Sequence, residues 1–392
     1  MYLFTVIIIV MLTGMELDLF VPSFPELQEV FHLSPFMVEM TLSINMIAHC
    51  VAAFVAGTLG DRYGRKPVIV GGLIIFIIGS IACVFATSYN ILLLGRLLQG
   101  VGISGPSVLA YVLISDKYSK KQSQYLMGIV NGVITVAMAC APVIGSYVNL
   151  FFNWRGNFVV LLILGILSLL FTMVFIQNKQ ETHEVKISLK EYKPIFQSRK
   201  AVLYLITLTM ACQSYWVFIG MSSILYMNDL GVELKDFGLY QGAIAAVFAI
   251  GSLSSSYFLK RFGTTKCFIV AGWLVVSFFV LAATITILNI KNPLVITLVM
   301  LVQAISMVYP INILWPLALD AVKGARGRMG AMLVTWRLVV SAIAIELASY
   351  FYNESFLTIG TTICITLAVG IMACYMLIKE FKVLEFYDVE EV

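Results

Sequence analysis

The chain is a succession of apolar runs, each long enough to cross a bilayer as a helix. A helical crossing needs about 20 predominantly apolar residues. The runs are 3–23, 36–59, 68–86, 90–114, 124–149 and 157–176, then 201–226, 237–259, 266–289, 293–319, 329–352 and 355–378. They are too long and too continuous for the alternating strands of an outer-membrane barrel, which take about ten residues each. They predict an all-α membrane protein with twelve transmembrane helices. Composition excludes the main alternatives. Hydrophobic residues make up 60% of the 392 and charged residues 12%, against about 25% charged in an ordinary soluble domain. A soluble monomer of this size has no core large enough to hide so much apolar surface. Disorder needs the opposite composition.

Other classes fall away on motifs. The formal charge is only +4, which argues against nucleic acid as a partner. Cys50, Cys83, Cys140, Cys212, Cys267, Cys364 and Cys374 all lie in apolar runs, without a Cys-x-x-Cys pair. His32, His49 and His183 are scattered, so neither a metal, a cofactor nor a disulfide framework is expected. The chain lacks a phosphate-binding Gly-x-x-x-x-Gly-Lys-Ser/Thr loop and a clustered nucleophile, which argues against an ATP-driven pump or an enzyme. The stretch from Met1 lacks a basic leader and a cleavage site, so it reads as a retained first helix.

Lysine and arginine set the orientation. One side carries Arg62, Arg65, Lys66, Lys117, Lys120, Lys121, the linker's basic residues, Lys260, Arg261, Lys266, Lys323, Arg326, Arg328, Lys379 and Lys382. The other carries only Arg155, Lys235 and Lys291, while Arg96 and Arg337 lie within spans. Both termini and the linker are therefore expected in the cytoplasm.

The halves repeat. At an offset of 204, Gln99, Pro106 and Asp116 fall on Gln303, Pro310 and Asp320. At 199, Arg62-Tyr63-Gly64 falls on Arg261-Phe262-Gly263. Matching halves with proline-interrupted helices point to a transporter with its site between two pseudo-symmetric six-helix bundles. The expected division is 1–176, a linker 177–200, 201–378 and a tail 379–392. Ile187, Leu189, Tyr192, Ile195 and Phe196 in the linker suit a short amphipathic helix on the inner leaflet or a solvated connection.

The loop Gly57-Thr58-Leu59-Gly60-Asp61-Arg62-Tyr63-Gly64-Arg65-Lys66 resembles the signature loop of the major facilitator superfamily. The resemblance implies the major facilitator fold and a cytoplasmic gate using Gly57, Asp61, Arg62, Gly64 and Arg65. Arg96-Leu97-Leu98-Gln99-Gly100-Val101-Gly102 resembles the second motif, in which the arginine is linked to proton transfer. Ala137, Ala141, Pro142, Gly145 and Ser146 resemble the antiporter motif of drug–proton exchangers, with Ala141 where glycine is usual. This adds Pro142 and Gly145 to the gating residues. Asp18, Pro22 and Pro25, with Thr41-Leu42-Ser43, resemble the bicyclomycin/chloramphenicol-resistance branch of drug–proton antiporters. That branch usually has arginine in the segment matching Tyr111–Ser115, and this chain has none.

The resemblance implies a proton-coupled exporter of small amphipathic compounds in a bacterial cytoplasmic membrane, working as a monomer on protons and substrate. The alternative is a carrier of one metabolite, siderophore or organic anion, with Arg96 on its carboxylate. Asp18 and Arg96 lie about 8–9 Å below the outer surface at 1.5 Å per residue, so they are expected to interact. Asp18 is the first candidate proton carrier. Glu16 follows: it points about 200° away from Asp18 in a regular helix, with Asn45 or His49 as its expected partner. Glu346 comes next, and service at the cytoplasmic gate is an alternative role for Arg337. Gln99, Gln213, Tyr215, Trp216, Tyr226, Tyr309, Asn312 and Trp315 are the candidate substrate contacts, through surface burial and cation–π interaction. The orientation predicts that a fluorescent protein fused after Val392 matures in the cytoplasm. A periplasm-active reporter at the same place stays silent, and the reverse pattern overturns the assignment.

Overall fold

Lipid offers no hydrogen bonds, so each crossing segment must satisfy its peptide groups internally. The computed structural model describes residues 1–177 and 192–381. Helix α1 is Tyr2–Met15, followed by a 3-10 turn Val21–Ser23 and α2 Phe24–Phe31. Then come α3 Pro35–Tyr63, α4 Arg65–Val84, α5 Tyr89–Lys117 and α6 Lys120–Phe175. After the short α7 Lys193–Gln197 follow α8 Arg199–Ser223, a π-helical turn Ile224–Asp229 and α9 Leu234–Phe262. The last four are α10 Thr264–Ile287, α11 Pro293–Leu319, α12 Arg326–Tyr350 and α13 Phe356–Phe381.

Twelve passages emerge once two elements are read correctly. The 56-residue α6 contains two, because Asn153 breaks it with a left-handed φ of 55°. With ψ at −175° the residue lies outside the left-handed helical basin, in a conformation otherwise left almost entirely to glycine. The break frees the Trp154 N–H, which donates to Glu26 Oε2 at 2.8 Å. Burial holds the Glu26 carboxyl above its ordinary range, against the opposing pull of that N–H. Arg155 closes the turn by donating to the Val84 and Ala86 carbonyls at 3.1 and 2.9 Å. The other element is the first passage. Only 14 residues are helical in α1, and turns complete the crossing.

The chain forms two compact units, Met1–Ile187 with Val232–Gly242, and Ser188–Gly231 with Ala243–Val392. In the first, α1 packs on α5 and α6, and α4 on α5 and α6. In the second, α8 packs on α11, α12 and α13, and α10 on α11 and α13. In span order, the packing of the first span on the fourth and of the third on the fourth recurs in the second unit. The repeated loops match in backbone too: Gly64 has φ 91°, ψ 158° and Gly263 has φ 82°, ψ 154°. Only glycine takes that conformation without strain.

Of the linker's apolar residues, Ile187 and Leu189 lie outside the described residues, as does the tail beyond Phe381. Ile195 of α7 is fully buried with Tyr204 and Leu205 of α8, and Phe196 meets Trp336 at 6.5 Å. This part of the linker packs into the second unit.

Lipid tails are as apolar as leucine, so helices do not associate through hydrophobic burial as they do in water. Close packing must contribute instead, and α4 and α5 show how. A Cβ on Gly72 would lie 2.6 Å from the Gly102 carbonyl, and one on Gly79 2.7 Å from the Gly95 carbonyl. Both glycine pairs are seven residues apart, which brings the antiparallel backbones together twice along one seam. Overpacking typically costs about 1–3 kcal/mol. Gly102→Val should therefore lower the melting temperature of purified protein and its folded yield, while Gly71→Val, where a Cβ meets open space, should change neither.

Candidate functional site

The buried polar residues of the first unit converge on Arg96 of α5, which is fully enclosed. Its Nε donates to the Thr41 carbonyl of α3 at 3.1 Å, and Nη1 to Gln99 Oε1 at 2.7 Å. The guanidinium carbon lies 4.1 Å from the centre of the Phe20 ring, a cation–π contact. Gln99 is fixed in turn by Ser80 Oγ of α4 at 2.9 Å. Glycine makes the approach possible: a Cβ on Gly100 would collide with the Asn45 carbonyl of α3.

The carboxylate placed against this arginine is Glu16, with Oε1 3.8 Å from Nη1. Asn45 Nδ2 donates both to that oxygen and to the Arg96 carbonyl, the latter at 3.1 Å. The expected pairing was Asp18 with Arg96. It assumed a regular helix through residue 23, but the helix ends at Met15 and residues 16–20 run through turns. Pro22 contributes to that irregularity, since it has no N–H for the Asp18 carbonyl and its ring crowds the preceding turn. Gly145 of α6 accommodates the result, because any Cβ there would strike the Leu19 carbonyl. Asp18 is buried in the same segment, 1% exposed. Asn45, offered as a partner of Glu16, is one. His49 instead meets Ser107 Oγ at 3.0 Å. Glu39, fully buried on α3, escaped the sequence reading, although an acid inside an apolar run was a visible signal.

Besides Glu16, Arg96 is held by a carbonyl, an amide oxygen and an aromatic face, all neutral. At 3.8 Å the ion pair is close but not a tight fork.

At the end of the first unit that carries the basic loop, Arg65 bonds Asp61 of α3 and reaches Asp116 of α5 at 3.2 Å. These charges tie α3, α4 and α5 within that unit. Gly64 supplies the turn between α3 and α4, and Gly57 is half-buried with open space where a Cβ would go. Arg62 is exposed and lies over the Tyr63 ring at 5.3 Å. Pro142 sits inside α6, with its carbonyl accepting from Ser146 Oγ at 2.9 Å.

The candidate substrate contacts differ in availability. Gln99 is enclosed and committed to Arg96 and Ser80, so it positions the arginine and leaves no surface for a substrate in this conformation. Tyr226 is equally enclosed, its hydroxyl bonded to Thr297 Oγ1 at 2.7 Å. Trp216 is 5% exposed and meets the half-buried Tyr215 edge-on at 5.6 Å. Gln213 is fully buried and donates to the Thr209 carbonyl. Asn312 donates to Ser255 Oγ at 3.0 Å, and Trp315 and Tyr309 are half-buried. Glu346 and Arg337 are half-buried on α12.

Removing one member of a buried ion pair strands the other and costs about 3–5 kcal/mol. Arg96→Ala should therefore destabilise the protein by that order in reversible unfolding. Adding Glu16→Gln to it should recover part of the loss. Strict additivity of the two changes would show that the residues do not interact.

The Major Facilitator Superfamily family model matches residues 6–345. Multidrug resistance protein MdtL of Salmonella heidelberg is 25% identical over 257 residues, 65% of this chain and 65% of that protein. The Salmonella dublin protein of the same name gives the same figures. The match thus spans 65% of the length of these curated relatives. Among solved structures, a D-xylose-proton symporter superimposes with a TM-score of 0.75 at 14% identity, covering 96% of both chains. The nucleoside transporter NupG gives 0.73 at 12% identity, covering 97% of this chain and 100% of that one. At such identities these structures speak to fold alone. With twelve membrane passages in two repeated bundles and a family model matched over most of its length, the chain belongs to the Major Facilitator Superfamily.

Proposed function

We propose that the protein is a proton-coupled exporter of small amphipathic compounds across a bacterial cytoplasmic membrane. The observation that carries this reading is the buried Glu16–Arg96 pair, held by Asn45, Gln99 and Thr41. Ionisable groups inside membrane spans are costly and mark ion pathways. The similarity to proteins named for multidrug resistance supports export of drug-like compounds, as does the resemblance of the Asp18–Pro25 segment to the drug–proton antiporter branch.

In this scheme Glu16 carries the proton, and Asp18 lies two residues along the same non-helical segment. Protonation removes the pull of Glu16 on Arg96 while the neutral contacts keep the arginine in place. The turn after Met15 is then released from α5. Substrate favours the deprotonated state, so proton and substrate bias one conformational equilibrium in opposite directions. Asp61 and Arg65 serve the cytoplasmic gate. Pro142 and Gly145 shape the helix against which the α1 turn rests. One proton crossing about 150 mV supplies about 3.5 kcal/mol, enough for a substrate gradient of a few hundred-fold.

The test is proton movement in proteoliposomes under an imposed pH gradient, with ethidium and a panel of amphipathic drugs. Native protein should release protons when a substrate is added. Glu16→Gln should reduce that signal by about ten-fold or more, within the usual range of coupling energies. If Glu16→Gln matches native protein and Asp18→Asn does not, the carrier is Asp18. If no compound in the panel moves protons, the antiport reading fails.

A further inference from the structure

Two arginines stand deep within apolar helices, and they are held differently. Arg96 is engaged by a carboxylate, a carbonyl, an amide and a ring, with Nη2 alone left without a hydrogen-bond partner. Arg337 of α12 is eleven residues from Arg326 and thirteen from Tyr350, which places it about 17 and 20 Å from the two helix ends. It is half-buried, and the polar group beside it is the Cys212 thiol of α8, the helix on which α12 packs. Among the described residues no carboxylate lies within ion-pair distance of it, and its buried Nε has no hydrogen-bond partner. Glu346 is nine residues along the same helix, about 13 Å away and on the opposite face. A guanidinium near mid-bilayer without a counter-charge is costly, which makes it a candidate ligand anchor.

Three buried polar groups on the same two helices define the ligand further. Ser341 stands one turn beyond Arg337, while Thr209 and Gln213 stand one turn apart on α8, on either side of Cys212. All three side chains are buried, at 0%, 1% and 0% exposure. Ser341 Oγ, Thr209 Oγ1 and Gln213 Oε1 have no hydrogen-bond partner among the described residues. Gln213 spends its Nε2 on the Thr209 carbonyl at 3.0 Å, which leaves its oxygen to accept. The group therefore offers a cationic fork, two hydroxyls and one acceptor. An arginine fork matches a carboxylate in plane and charge.

We propose that Arg337, Ser341, Thr209 and Gln213 form a subsite for the carboxylate of a transported compound. That compound also presents an N–H or O–H beside its carboxylate, for Gln213. This deepens the transport reading and rests on it: the substrates include amphipathic amino and hydroxy acids as well as cations.

The probe pair is dansyl-phenylalanine and its methyl ester, which differ at the carboxylate and share the adjacent sulfonamide N–H. Binding to the full chain in lipid nanodiscs is read by dansyl fluorescence. The acid should bind about ten-fold tighter than the ester or more, the scale of a charged hydrogen bond. Arg337→Gln should bring the acid down to the ester and leave the ester unchanged. Arg337→Lys should fall between, since an ammonium lacks the fork. A second readout needs no variant: alkylation of Cys212 by N-ethylmaleimide, followed by mass spectrometry, should be slowed by the acid and not by the ester. Equal binding of acid and ester by native protein overturns the subsite. So does an acid preference that survives Arg337→Gln, or alkylation indifferent to the acid. Acid-selective binding without proton movement would leave the subsite standing and remove the antiport reading. Ethidium-driven proton release without acid preference would do the reverse.

Discussion

Everything in the first unit depends on how a single cation is accommodated in an apolar solvent. Arg96 cannot reach water, so the surrounding helices must supply what water would have given. Thr41 comes from α3, Gln99 from α5 itself with Ser80 of α4 behind it, Phe20 and Glu16 from the segment after α1. The packing is organised to bring these groups within reach. Gly100 admits the α3 backbone, and Gly145 admits the Leu19 carbonyl. Position 300, which the repeat pairs with Arg96, holds methionine, fully buried without a comparable network. The fold therefore does not require an arginine there.

The two units share a plan and differ in their chemistry. Gly64 and Gly263 turn the chain in nearly the same way, and the packing of the first and third spans on the fourth recurs. Gln99 and Gln303 occupy matching places, yet Gln99 braces a cation through Ser80 while Gln303 donates to Ser214 of α8 at 3.0 Å. Duplication preserves the backbone path because the loops and crossings depend on glycine and on helix length. The side chains in the interior are free to specialise once the path is set.

This explains what the sequence disclosed. Span count and the basic loop were legible because each is a property of consecutive residues. The Asn153 break fell between two apolar runs, where a connection was expected. The end of α1 was not legible, since apolar length alone does not register where helical geometry stops. Pro22 and Pro25 were in view, but the phase relating Glu16 to Asp18 was still taken from an ideal helix. The partner of Arg96 changed as a result. Asp116 stands out in the sequence only as a repeated position, whereas its contact with Arg65 needs the three-dimensional approach of α4 to α5. Enclosure of Gln99 and Tyr226 likewise follows from neighbours distant in sequence.

The glycine seam between α4 and α5 has a mechanical consequence. Two helices in backbone contact at two points seven residues apart cannot rock or slide without separating both. They behave as one stiff beam running the depth of the membrane. Such a beam has no compliance of its own, so any local displacement within the first unit is confined to the parts that lack this seam. One of these is the short stretch after Met15, where the regular helix has ended. The acidic residues Glu16 and Asp18 thus sit off the beam, and Arg96 sits on it.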